Sequence, residues 1–98
     1  WAASYPDGRP DSLNVIHAPA DTPLVIELRS EDVIHSFWVP RLGGKVDAVP
    51  GRVTRLRLGP APAGEYAGLC AEYCGVGHDR MPLVVDIYPP EATPPGAP

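Results

Sequence analysis

Proline and glycine are spread so densely along the chain that no long helix fits between them. The 98 residues include 14 prolines and 10 glycines, and proline breaks a helix interior because it lacks a backbone donor. The segments between these breakers are short and rich in β-branched and aromatic residues, which favours strands. Six strands are predicted, at 12–17, 24–29, 35–39, 53–58, 65–69 and 83–88.

Several of these segments alternate between apolar and polar residues. Leu24, Ile26 and Leu28 fall on one face, and Glu27 and Arg29 fall on the other, which is typical of strands with one buried face. Short strands separated by Pro-Gly, Gly-Pro and Ala-Gly turns indicate an all-β fold. We expect an antiparallel Greek-key β-sandwich or barrel.

The length allows one domain with one modest core. We assign residues 1–88 to this domain. Residues 1–11 read as a loop-like start that was truncated from a longer element. Residues 89–98 are half proline and are predicted to form an extended tail or linker without chemistry of its own.

The charge balance excludes some partners. The formal net charge is −4 and the sequence pI is about 5.1, which argues against nucleic acid because phosphate binding requires a basic surface. A basic protein partner fits better. Six acidic residues could form a face that steers such a partner, or could equally be scattered charges that only solvate the surface. They are Glu27, Asp32, Asp47, Glu65, Glu72 and Asp79. The sequence has no apolar run long enough to span a bilayer and no signal-peptide pattern at its start.

One loop holds the most reactive side chains of the chain. Both cysteines and the only methionine lie in a Cys-x3-Cys-x3-His-x2-Met pattern formed by Cys70, Cys74, His78 and Met81. Thiolates, imidazole and thioether are the ligands that soft metals prefer. His35, at the start of an apolar strand, is the candidate for one further nitrogen ligand. This distribution is that of the copper-binding β-sandwiches called cupredoxins, although an ordinary cupredoxin has one cysteine in this loop.

Other interpretations of the same residues remain open. The cysteines alone would form a disulfide about as readily as a metal site. Zinc is the weaker metal candidate, because a thioether is a poor zinc ligand. His35 alone would be an ordinary strand residue, and Met81 alone would be a core residue.

Three blocks give a more specific resemblance: DVIHSFWVP at 32–40, GKVDAVPGR at 44–52 and CAEYCGVGHDRMP at 70–82. Together they resemble the dinuclear copper A domain of cytochrome c oxidase subunit II. Trp1 resembles part of the aromatic patch at which cytochrome c docks in that family. One departure is Leu69, where the family usually has glutamine, and it puts hydrogen bonding around the site in doubt rather than copper binding itself.

The resemblance implies a ligand set for two copper ions. Both cysteines would bridge the ions, His35 and Met81 would complete one copper, and His78 with the backbone carbonyl of Glu72 would complete the second. The residues implied are His35, Cys70, Glu72 (through its carbonyl), Cys74, His78 and Met81. The side chain of Glu72 resembles a magnesium ligand of the intact oxidase.

The resemblance also implies the function. A site whose positions are all filled by protein has no place for a substrate, so the isolated domain would only transfer electrons, from cytochrome c to the haem of oxidase subunit I. We expect a monomeric domain at the periplasmic, outer face of an energy-conserving membrane, held there by an N-terminal anchor outside this sequence. Alternatives are the copper A domain of a nitrous oxide reductase, a copper chaperone or storage protein, and a disulfide-linked adhesion sandwich.

Overall fold

The structure is a computed structural model, and it describes residues 1–70 and 81–91. Nine strands form in this part of the chain. They are β1 (Ala2–Ala3), β2 (Ser12–Leu13), β3 (Val15–Pro19), β4 (Leu24–Leu28), β5 (His35–Val39), β6 (Gly44–Ala48), β7 (Thr54–Leu58), β8 (Gly64–Cys70) and β9 (Leu83–Tyr88). A single 3-10 turn, Pro40–Leu42, joins β5 to β6. The all-β prediction is confirmed.

The strands form one large sheet and two small ones. The large sheet has the order β3-β9-β8-β5-β6, and the small sheets pair β4 with β7 and β1 with β2. The pairs β8–β9, β5–β8 and β5–β6 are antiparallel. The pair β3–β9 is parallel, with Val15 opposite Val84 and Pro19 opposite Tyr88. A purely antiparallel sheet was therefore the wrong expectation, because the first long strand joins the sheet beside the last one.

The core lies between the large sheet and the β4–β7 pair. Every second residue is buried in β9 and, from Tyr66 onward, in β8, so each of these strands turns one face to the core. Phe37, Val39 and Val85 are almost completely inaccessible to solvent. Gly44 begins β6 against this core, where an added Cβ would collide with Leu58 and lie 3.1 Å from a methyl group of Leu56. The loops at the ends of the sheet are thus attached to a closely packed core.

The predicted strand pattern needs three corrections, the first being that β1 (Ala2–Ala3) forms within the segment 1–11 predicted to be loop-like. Segment 12–17 is split at Asn14, whose φ of 58° lies in the left-handed region, so that β2 and β3 are separate strands. Strand β6 was not predicted, and it forms through its pairing with β5, in which His35 lies opposite Ala48 and Val39 opposite Gly44. In the part of the chain that is described, no helix has the length and apolar character needed to cross a bilayer.

Side-chain contacts fasten residues 5–12 to the β3–β9 pair. Tyr5 Oη lies 2.7 Å from Ser12 Oγ and accepts a hydrogen bond from the backbone N–H of His17. The His17 Nδ1 atom lies 2.8 Å from Oδ2 of Asp86, its cross-strand neighbour. Arg9 stacks on the Tyr5 ring, with 4.1 Å between its guanidinium carbon and the ring centroid. His17, within β3, therefore has a structural partner in Asp86.

Candidate metal centre

Two predicted ligands meet where β5 begins and β8 ends. Phe37 of β5 lies opposite Cys70 of β8. His35 precedes Phe37 by two residues and so shares its face of the sheet. Both candidates are buried, His35 with 6% and Cys70 with 1% of its surface exposed. The backbone N–H of Ser36 donates a hydrogen bond to Cys70 Sγ over 3.4 Å.

The two ring nitrogens of His35 have very different surroundings. Nε2 lies 2.7 Å from Oδ1 of Asp32, and a carboxylate can only accept, so Nε2 carries the proton. Nδ1 is buried and has no hydrogen-bond partner among the residues described. A buried acceptor left unpaired costs about 1–3 kcal/mol. The Nδ1 lone pair is thus available to bind a metal ion, and a bound ion would remove the cost of burying this atom without a partner.

Asp32 is held in a tight turn that presents its carboxylate to His35. Oδ1 accepts hydrogen bonds from the backbone N–H of Val33 over 2.7 Å and from Ser30 Oγ over 3.1 Å. The hydrogen bond with His35, followed by that from Val33, lowers the pKa of Asp32 from 3.8 to about 2. The carboxylate is therefore ionised at neutral pH. A carboxylate behind an imidazole fixes its tautomer and increases its basicity, as in many metal sites.

Met81, the third described candidate, stands just before β9. Its backbone has φ of 50°, a left-handed conformation that residues other than glycine seldom adopt. The indole N–H of Trp1 donates to the Met81 carbonyl over 2.8 Å. The same ring packs edge-on against His35 and Phe37, with centroid distances of 5.9 and 5.3 Å. Trp1 therefore links the backbone of one predicted ligand to the side chain of another.

The cysteine is oxidised in this structure, because Cys70 is disulfide-bonded. The disulfide alternative therefore describes one state of the chain, and a thiolate ligand at Cys70 requires reduction first. Three predicted ligands, Glu72, Cys74 and His78, lie outside the described residues. Within residues 1–70 and 81–91, no three His, Cys, Asp or Glu side chains are grouped to hold a metal ion. The full ligand set therefore stays a prediction.

The residues that support His35 were not recognised from sequence. Asp32 was considered only as a steering charge, and Trp1 only as part of a docking patch. Serine and aspartate side chains commonly bond to nearby backbone groups in turns, so Ser30 and Asp32 could have indicated a carboxylate folded back toward the strand that follows. No comparable signal connects Trp1 with Met81.

A family model for the periplasmic domain of cytochrome c oxidase subunit II matches residues 9–88. The chain belongs to this family. Subunit 2 of cytochrome c oxidase from Synechocystis sp. is 38% identical over 91 residues, which are 93% of this chain and 27% of that protein. The Branchiostoma floridae subunit is 44% identical over 78 residues, 80% of this chain and 34% of that protein. The chain thus spans between about a quarter and a third of the length of these curated relatives.

Solved structures agree with this subunit II assignment. The periplasmic domain of subunit II from Bradyrhizobium japonicum is similar with a TM-score of 0.71 and 33% identity, covering 78% of this chain and 55% of that one. A mixed-disulfide intermediate between a thioredoxin-like protein and subunit II of cytochrome c oxidase is similar with a TM-score of 0.75 and 32% identity. That match covers 91% of this chain and 74% of the other. Both the fold and the family are therefore those implied by the three sequence blocks.

Proposed function

We propose that this subunit II domain carries a dinuclear copper A centre and transfers electrons from cytochrome c to the haem of oxidase subunit I. The observation that carries the proposal is the buried Nδ1 of His35, which has no partner among the described residues and belongs to a ring fixed from its other side by Asp32. The proposed ligands are His35, Cys70, Glu72 (carbonyl), Cys74, His78 and Met81.

The described residues fit such a centre. Asp32 holds the proton of His35 on Nε2, which leaves Nδ1 as a neutral nitrogen donor. The N–H of Ser36 points at Cys70 Sγ and would stabilise negative charge on that sulfur after reduction. When bound, copper supplies a one-electron redox couple. Because β5 and β8 are paired in one sheet, their side chains can move little, which keeps the reorganisation associated with electron transfer small.

The disulfide has to be opened before copper can bind. Two electrons and two protons from a dithiol reductant convert it to two thiols, and the reductant leaves as its own disulfide. A thioredoxin-like donor is the reductant class we propose, supported by the similar subunit II domain that was captured in a mixed disulfide with such a protein.

The wider assignments follow from the family. We propose that the domain works at the periplasmic face of an energy-conserving membrane, anchored by chain outside this sequence, and that the isolated domain is a monomer. In the intact oxidase, the Glu72 side chain would contribute to a magnesium site. The nitrous oxide reductase and chaperone alternatives lose support because the matching family model is that of the oxidase subunit.

Electron paramagnetic resonance of the reduced, copper-loaded and then reoxidised domain tests the proposal. We expect one unpaired electron coupled equally to two copper nuclei. Cys70→Ser should abolish this spectrum because it removes a bridge, whereas Glu72→Ala should keep it because the carbonyl is the ligand. A single-copper spectrum of the unmodified domain would overturn the proposed centre. Loss of copper in Glu72→Ala would overturn the role given to that carbonyl.

A further inference from the structure

The backbone of Met81 is held in an unfavourable conformation. A left-handed φ of 50° brings the Cβ of an L-residue close to the following carbonyl oxygen, so the conformation is retained only where surrounding contacts impose it. The hydrogen bond from the Trp1 indole to the Met81 carbonyl, 2.8 Å long and partly buried, is such a contact. It joins residues 80 positions apart.

Trp1 is itself anchored next to Met81. The backbone N–H of Asn14 donates to the Trp1 carbonyl over 2.7 Å. The carbonyl of Asn14 in turn accepts the N–H of Val84, on strand β9, over 3.1 Å. These bonds fix the Trp1 backbone relative to β9, the strand that follows Met81. The indole ring is therefore held at a defined distance from that strand.

The other side of the same ring meets His35. The ring centroids are 5.9 Å apart at an interplanar angle of 66°, and Phe37 supports the indole with a second edge contact of 5.3 Å. Edge contacts of this kind have a preferred geometry. One rigid side chain therefore determines the separation between two residues that the proposed centre assigns to the same copper.

We propose that Trp1 is a positioning residue of the metal centre, which holds the Met81 backbone through its indole N–H while its ring fixes the His35 imidazole. This inference rests on the proposed function. Removing the N–H frees Met81 to leave its left-handed conformation, and the thioether is then no longer presented at a fixed distance from His35. Binding of copper by Met81 and His35 should therefore weaken, while the other proposed ligands keep their positions.

The test is Trp1→Phe, which keeps an aromatic ring but removes the N–H donor together with one of the two fused rings. The matched control is Trp38→Phe, the same change at the other tryptophan of the chain, which alternates to the opposite face of β5 from His35. In the copper-loaded domain, Trp1→Phe should lose copper to a chelator about three- to tenfold faster, the range of a lost hydrogen bond. Its midpoint potential and copper hyperfine splitting should shift, and the control should match the unmodified protein.

A second measurement needs no copper. In the metal-free protein, the indole proton of Trp1 should exchange with solvent more slowly than in the urea-unfolded chain, because it is bonded to the Met81 carbonyl. Unprotected exchange there would overturn the proposal. Faster copper loss with an unchanged potential and spectrum would also overturn it, since that result describes a packing role only.

The two proposals fail in different ways. An unmodified domain that never shows the two-copper spectrum refutes the proposed function, and the positioning role falls with it. A normal two-copper spectrum whose splitting, potential and copper-release rate are the same in Trp1→Phe and Trp38→Phe refutes the positioning role alone.

Discussion

Ser36→Ala should stabilise the metal-free domain although it removes a polar group beside the site. Ser36 is completely buried, and its Oγ has no hydrogen-bond partner in residues 1–70 or 81–91. An unpaired buried hydroxyl costs about 1–3 kcal/mol, while the void left by one oxygen atom offsets roughly 0.5 kcal/mol of the gain. The net increase in the free energy of unfolding is about 1 kcal/mol, or about 4–8 °C in Tm for a domain of this size.

Urea unfolding of the disulfide-bonded, metal-free protein measures this difference. The control is Ser30→Ala, the same chemical change at a hydroxyl that lies within hydrogen-bond reach of Asp32 Oδ1 and of the Val33 carbonyl, and it should destabilise the domain. The two substitutions are therefore expected to have opposite signs. If Ser36→Ala lowers the free energy of unfolding by about 0.5 kcal/mol or more, the hydroxyl has a partner and the reasoning is wrong.

Two further substitutions test the carboxylate beside His35 and the packing of the core. The pKa of Asp32 is lowered to about 2 by its hydrogen bond with His35, so the carboxylate stabilises the fold above about pH 4 and this contribution is lost as the pH falls through about 2. Asp32→Asn should therefore lower the Tm of the metal-free protein near neutral pH and have no effect below about pH 2; a pH-independent difference would contradict this. Gly44→Ala should lower the free energy of unfolding by about 1–3 kcal/mol in urea, because its Cβ collides with Leu58. A neutral result would show that the core can yield there.

The sequence was most informative where local pattern and structure agree. Strands β5 (His35–Val39) and β9 (Leu83–Tyr88) were predicted with their observed limits, since each is an apolar run with a clear end. Strand β6 was missed because its Gly-Lys start resembles a loop, and only pairing with β5 makes it a strand. The parallel β3–β9 pair joins residues 69 positions apart, His17 and Asp86, and no local signal specifies such a partner.

The same division applies to the site. Residue types and spacing indicated His35, Cys70 and Met81 as candidates, because chemistry is visible in a sequence. The contacts of Asp32 and Trp1 with these residues depend on how a turn and the chain start fold back, and side-chain geometry of that kind is decided by tertiary packing. Sequence therefore suggested which atoms could bind a metal, and the structure added what holds them in place.

The position of β9 between β3 and β8 also has a consequence for the order of assembly. Met81 precedes β9, which pairs with β3 on one side and β8 on the other, and long-range pairing of this kind slows folding. Nearly the whole domain has to be synthesised before all of the proposed ligands are present in one folded structure. If the proposed ligand set is right, a chain that lacks β9 could not assemble it, and copper uptake would report that synthesis and folding of the domain have finished.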